Sequence, residues 1–213
     1  MKIEYFGHSC FRVTSENGVR WVSDPYTQVG YELPKDFFAD FVTVSHGHFD
    51  HNYVDGVKDS KHIFNTIEDF SYNGAQGSVI KCFHDDKKGA LRGENLIFKV
   101  DIDGVIFCHL GDLGELCSDV LINKIGKVNV LMVPIGGRYT IDAKQAKEYI
   151  NALQPNVIIP MHYKPMDGTI NITDATDFLN SIDKKHLQYV GKELTIDKHT
   201  LLSEKLKVLY MEK

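Results

Sequence analysis

The segment SHGHFDH, residues 45–51, places three histidines and an aspartate within six positions, directly after the apolar run DFVTV. Imidazole nitrogens and carboxylate oxygens are ordinary ligands of zinc and neighbouring divalent metals. At the end of an extended strand, residues i, i+2 and i+4 point the same way, so His46, His48 and Asp50 converge. Where the strand turns into a helix, His51 swings to a second point nearby, and Gly47 frees the backbone to turn sharply. Four donors at two diverging points imply two cations, each needing further ligands. Three candidates follow later strands: His84 ends SVIKCF, Asp112 lies in HLGD just past VIFC, and His162 lies in IIPMHY. Groups at the ends of buried strands converge on one rim of a sheet, where active sites are built.

The elements that must hold these residues are legible as strands early and as alternating strands and helices later. KIEYF, CFRVT and VRWVS read as strands, the last two joined by the turn signal Asn17-Gly18. DFVTVS, HIFN, SVIKCF, NLIFKV and VIFCHL continue the series, with a hairpin about Asp103-Gly104. KVNVLMVP and NVIIPMHY read as buried strands. A helix is predicted after the N-cap Asp142, with Gln145 three residues on, a stripe of Ala143, Ala146, Ile150 and Leu153, and Pro155 to stop it. TDATDFLNSI (173–182) repeats the device with Thr173 as cap and Ala175, Phe178, Leu179 and Ile182 inward. ELCSDVLINKIG (115–126) is a third helix, ended by Gly126. The mixture fits sheets with helices packed outside them, in one α/β domain spanning 1–213.

Composition narrows the function. With 43% hydrophobic and 25% charged residues the chain is of ordinary globular make-up. A formal charge of -5 disfavours nucleic-acid and anionic-membrane surfaces. MKIEYFGHSC lacks the apolar core of a signal peptide and no run approaches a membrane span, so cytoplasm is the expected location and a membrane is not an expected partner. Cys10, Cys82, Cys108 and Cys117 form no C-x-x-C pair, and the first three read as small buried hydrophobes. His62, His186 and His199 read as solvated. The aromatic run Tyr26, Tyr31, Phe37 and Phe38 reads as a pocket entrance or a subunit contact; nothing in the sequence fixes an oligomeric state.

Taken in order, GHSCF (7–11), SDP (23–25), SHGHFDH (45–51), HLGD (109–112), VPIGGRYTIDA (133–143) and IIPMHY (158–163) resemble the metallo-β-lactamase fold superfamily. Within it, the sequence is most similar to small metal-dependent hydrolases of the ascorbate-6-phosphate lactonase-like group. The resemblance implies a four-layer αββα sandwich. It also implies a first metal site of His46, His48 and His84, a second of Asp50, His51 and His162, and Asp112 bridging both. His109, three residues before Asp112, competes with His84, but the strand that carries it must already deliver Asp112. His8 could line the pocket. Asp24 could brace the metal-binding loop by accepting from a ligating imidazole. Arg138, Tyr139 and Tyr163 are candidates for orienting substrate.

The activity so implied is metal-dependent hydrolysis of a small-molecule ester, lactone or related compound by a metal-bridging hydroxide, with Asp50 and Asp112 as catalytic carboxylates. The cofactors are two divalent ions, zinc first, with manganese or iron(II) accepted by the same donors. Because ligating imidazoles must be neutral, metal and activity should be lost together below about pH 6. A phosphodiesterase or nuclease of the same fold, or a non-catalytic metal-binding protein, are the alternatives. Oxygen-reducing di-iron relatives carry a glutamate where this chain has His48, which argues against that chemistry, and activity on β-lactams should be negligible.

Overall fold

A computed structural model describes residues 1–213. Strands β1 (Lys2–Gly7), β2 (Cys10–Thr14) and β3 (Arg20–Ser23) pair antiparallel in sequence. β4 (Phe41–Thr43) and β5 (His62–Phe64) add in parallel. Period-two alternation sends Phe11, Val13, Trp21 and Phe41 into the main core, and Cys10, Val22 and Val42 into a smaller one on the other face.

That outer face carries no α-helix. It is covered by residues 24–39 and 53–58, which contain one 3₁₀ turn (Val54–Gly56) and contribute Tyr26, Val29, Phe37, Ala39 and Val57 to the smaller core. This corrects the subunit-contact reading for Tyr26 and Phe37, whereas Tyr26 and Tyr31 do line a surface pocket. Tyr26 and Phe37 are fully buried within the chain, and Tyr31 stands edge-on to Tyr26 at 5.2 Å, because a sheet with an apolar outer face and no helix needs cover.

The second sheet is built from β6 (Phe70–Tyr72), β7 (Ala75–Phe83), β8 (Glu94–Ile102), β9 (Val105–His109), β10 (Val130–Pro134) and β11 (Val157–Met161). β6 to β9 run antiparallel; β9, β10 and β11 are parallel. The β8–β9 hairpin turns on Asp103 and Gly104 at φ 56° and 78°, the left-handed pair that matches strand twist. β10 and β11 are buried at every residue, as parallel strands covered on both faces must be. C-terminal strands complete both sheets: β12 (Leu187–Val190) and β14 (Lys207–Met211) extend the second, and β13 (Glu193–Thr195) pairs with β1. The result is a two-sheet α/β sandwich, six strands against eight.

Of the helices, α1 (Asp119–Ile125) is capped by the Ser118 hydroxyl and ended by Gly126. α2 (Ala143–Leu153) carries the full capping box between Asp142 and Gln145 and buries Ala146, Tyr149, Ile150 and Leu153. α3 (Thr176–Asn180) is shorter than its sequence suggests, and Thr173 does not cap it. Thr173 instead bonds the Gly136 carbonyl with both its hydroxyl (2.9 Å) and its amide (2.9 Å), which ties the 164–175 segment to the end of β10. α4 (Lys198–Ser203) buries Leu201. No helix is long and apolar enough to cross a membrane.

Candidate metal centre

The segments that follow β4, β7, β9 and β11 meet the β1–β2 turn at one rim of the sandwich. They bring together six imidazoles, from His8, His46, His48, His51, His84 and His162, with the carboxylates of Asp50 and Asp112. Donor atoms of His46, His48 and His84 lie within 4.8 Å of one another, as do those of His8, Asp50, His51 and His162, and those of His46, His51 and Asp112. Asp112 stands between the first two groups. Its Oδ2 is 3.2 Å from both His84 Nε2 and His162 Nε2, and its Oδ1 is 3.1 Å from His51 Nε2.

The backbone delivers these groups at a conformational cost. His8, Asp24 and His162 all sit in the left-handed region, at φ 54°, 41° and 51°, which is uncommon for residues other than glycine, although Asp and His adopt it more readily than most. Bonds onto the His8 carbonyl hold two of them: the His162 amide donates to it at 2.8 Å and the Tyr5 hydroxyl at 3.0 Å. In HLGD, Gly111 is required, since a Cβ there would meet Asn95 Oδ1 at 2.4 Å and Ser45 Cβ at 2.5 Å.

Surrounding acceptors fix which nitrogen of each ring is free. Asp24 Oδ2 accepts from His51 Nδ1 at 2.8 Å, so in the neutral ring the Nε2 lone pair faces Asp112. The Tyr139 carbonyl accepts from His84 Nδ1 at 3.0 Å with the same consequence. Ser45 Oγ donates to Asp24 Oδ2 at 2.6 Å, so it accepts from His46 Nδ1 at 2.9 Å and frees His46 Nε2. That nitrogen faces His48 Nδ1 at 2.9 Å. His51 Nε2, Asp112 Oδ1 and His162 Nδ1 are buried without a hydrogen-bond partner. Buried polar atoms are seldom left so. Orphaned donors converging with imidazoles and carboxylates are what a divalent cation would satisfy, so the residues present fit a metal.

Charge in the site follows from burial and neighbours. Burial, reinforced by His51, pushes His46 down to about 3, and burial with His162 pushes His8 down to about 4. Both are therefore neutral donors well below the pH of an ordinary imidazole. His51 behaves oppositely: burial opposes its charge, but Asp112 and Asp24 on either side outweigh it and raise its pKa. Burial also opposes ionisation of Asp50, Asp112 and Asp24, and the adjoining imidazoles outweigh it in each case, holding all three carboxyls below their ordinary range. The acid sensitivity expected near pH 6 thus divides, with His46 and His8 resistant to protonation and His51 prone to it.

The remaining sequence candidates separate clearly. His109 joins none of the donor groups: its Nε2 donates to the Ser9 carbonyl at 2.8 Å and its Nδ1 accepts from the Gly111 amide at 3.1 Å, which props the turn ahead of Asp112. His8 belongs to the donor cluster, its Nε2 3.2 Å from Asp50 Oδ2. Tyr139 lines the cleft over the site. Arg138 does not; it lines a neighbouring cleft with Asp142 and Lys144, its guanidinium carbon 5.6 Å over the Tyr139 ring. Tyr163 also faces away, buried beside Tyr210 with its hydroxyl donating to the Met211 carbonyl at 2.9 Å.

Comparison with known proteins places the rim in a family. Residues 2–162 match the family profile described as a beta-lactamase superfamily domain. The chain belongs to the metallo-β-lactamase superfamily. A superfamily member from Thermotoga maritima, known as a crystal structure, is 35% identical, with a TM-score of 0.81 over 99% of this chain and 98% of that one. A UPF0173 metal-dependent hydrolase of Nanoarchaeum equitans is 32% identical over 92% of this chain and 100% of its own length. The metallo hydrolase Igni18 of Ignicoccus hospitalis is 25% identical, with a TM-score of 0.58 over 76% of this chain and 82% of that one.

One part of this superfamily site has no counterpart in the sequence reading. Asn95, wholly buried in β8, clamps the Asp112 turn by accepting from the Asp112 amide at 2.9 Å and donating to the Leu110 carbonyl at 2.9 Å. A polar residue inside NLIFKV was the signal. Above the donors opens a cleft of about 490 Å³ whose walls include Phe49, Arg92, Thr169, Ile170 and Asn171, within the range that holds small molecules.

Proposed function

We propose that this protein is a metal-dependent hydrolase of a small ester or lactone, with two divalent cations, zinc first, held at the rim. His46, His48 and His84 would hold one, Asp50, His51 and His162 the other, and Asp112 would touch both. The observation that carries this reading is the place of Asp112, its two oxygens 3.1–3.2 Å from imidazoles of both groups, with Oδ1 otherwise unpartnered. When bound, such ions acidify water towards neutrality and stabilise a developing oxyanion.

The chain's own groups do the rest. Asp50 lines the cleft, its Oδ2 3.2 Å from His8 Nε2, and would take a proton from attacking water and return it to the leaving oxygen. His8 steadies the Asp50 carboxylate for that exchange. The Tyr139 carbonyl and Asp24 hold His84 and His51 in the tautomers described above. Phe49 and Ile170 supply apolar walls that keep bulk water from the reacting bond.

Elemental analysis followed by a screen of lactones, esters, thioesters, phosphodiesters and phosphomonoesters tests this. About two metal equivalents per chain and turnover of an oxygen ester or lactone are expected, with Asp112→Ala losing metal and lowering turnover at least about 100-fold. Turnover that survives complete metal removal would sink the proposal, and a preference for phosphodiesters would transfer it to the nuclease-like branch.

A further inference from the structure

The loop after His84 is organised around one carboxylate. Asp85 Oδ1 accepts from the amides of Lys87 (2.8 Å) and Gly89 (2.9 Å), and Oδ2 from those of Leu91 (2.9 Å) and Arg92 (2.8 Å). The loop is closed at its base by the His84 amide on the Gly93 carbonyl at 3.1 Å. Four backbone N–H groups thus occupy both oxygens of Asp85, which makes no bond to the Arg92 guanidinium.

Arg92 makes no ion pair with any carboxylate of the chain; its guanidinium carbon lies 5.2 Å over the Tyr139 ring. It is half-buried, and it is the one lysine or arginine among the cleft residues, which include His48, Asp50, His84 and Asp112. A planar cation stacked on an aromatic face keeps its N–H edge free for a bidentate partner. The rigid loop beneath it makes the position preorganised. Arg138 also lies over the Tyr139 ring, at 5.6 Å, but opens into the neighbouring cleft, so Arg92 alone offers its fork here, a geometry that matches one planar carboxylate.

We infer that Arg92 is the specificity-determining residue of the cleft and binds a carboxylate carried by the substrate, apart from the bond that is cleaved. This rests on the hydrolase reading above. The preferred substrate is accordingly an ester or lactone that bears a free carboxylate, with its uncharged part against Phe49 and Ile170.

Metal-loaded wild type, Arg92→Gln and Arg92→Lys are compared on phenyl acetate, phenyl hydrogen succinate and phenyl phosphonoacetate. For the succinate ester, Arg92→Gln should raise KM about 10- to 30-fold with kcat within about 3-fold, Arg92→Lys should recover part of the loss, and phenyl acetate should be unaffected. Gln keeps the backbone bond to Asp85, and an unchanged melting temperature confirms that the loop is intact. An equal KM rise on all three esters, no rise on the succinate ester, or dependence confined to the phosphonate would overturn the assignment. If the wild type cleaves no ester, the hydrolase reading fails by itself. Calorimetric titration with succinate then decides the subsite, which predicts at least about 10-fold weaker binding in Arg92→Gln and is refuted by equal binding.

Discussion

Two clusters of ionisable side chains share the β1–β2 hairpin and are built on opposite principles. At its outer end Lys2, Glu4, Arg12 and Glu193 alternate in sign: Arg12 grips Glu4 through two bonds of 2.7 and 2.8 Å, while Lys2 reaches Glu4 at 3.1 Å and Glu193 at 2.8 Å. At the other end, beyond Gly7, imidazole faces imidazole. His46 Nε2 and His48 Nδ1 approach to 2.9 Å, and three buried polar atoms find no partner. The first cluster is complete within the chain. The second becomes complete only with added positive charge, which is how a cation site differs from an ion-pair network of equal density.

Metal removal probes that difference most strongly. At a free zinc concentration about 1,000 times the dissociation constant, binding to the folded state alone adds about 4 kcal/mol. For a chain of this size that is roughly 8–16 °C in melting temperature. Chelation should lower the melting temperature by that order and zinc should restore it, as calorimetry in the two conditions would reveal. The Lys2–Glu193 patch should be indifferent to chelator and respond to salt instead. Coincident melting curves with and without chelator would mean that the rim is as self-sufficient as the patch.

A smaller effect comes from the support beneath the donors. Asp24, wholly buried, accepts from His51 Nδ1, the Ser45 amide and the Ser45 hydroxyl at 2.6–2.8 Å, so one carboxylate orients two of the proposed ligands. Asp24→Asn removes its charge and should weaken metal affinity about 10- to 100-fold, read by competition with a chelator on protein of native circular dichroism. Unchanged affinity would show that the His51 tautomer is fixed by something other than Asp24.

What the sequence disclosed tracks how local each signal is. SHGHFDH announces itself because donors of one chemistry recur within a few residues, and His84, Asp112 and His162 follow because each ends a recognisable strand. His8 was harder to weigh, since a single histidine in a turn looks the same whether it bonds a neighbour or meets Asp50, 42 residues away. The segment after His84 reads as a specificity loop, but nothing in it singles out Arg92, because the restraint on that residue comes from Asp85 and from Tyr139 on a distant segment. Tyr163 misled through adjacency to His162. The C-terminal strands β12 and β13 were unread because their residues are half-exposed or exposed, so no apolar periodicity marks them.

The smallest effect isolates the self-paired cluster. Burial alone would raise the Glu4 pKa, but the bonds from Arg12 and Lys2 outweigh it and hold the carboxyl below the ordinary glutamate range. A carboxylate lowered in this way adds stability that is fully present above the unfolded pKa of about 4.3 and is lost as pH falls through the lower, folded value. Arg12 also packs against Phe6 and Phe37, at 5.3 and 5.5 Å, so its stem stays buried when the acid is removed. Glu4→Gln should therefore cost about 1 kcal/mol at pH 7, less in high salt, while metal content stays that of the wild type. Below about pH 4 the melting temperatures of the two proteins should converge, because wild-type Glu4 is then itself neutral in the unfolded chain and increasingly so in the folded one. A deficit that persists undiminished at pH 3 would assign the loss to packing around Arg12, and the contrast between a charge-balanced end of the hairpin and a cation-dependent one would have to be drawn elsewhere.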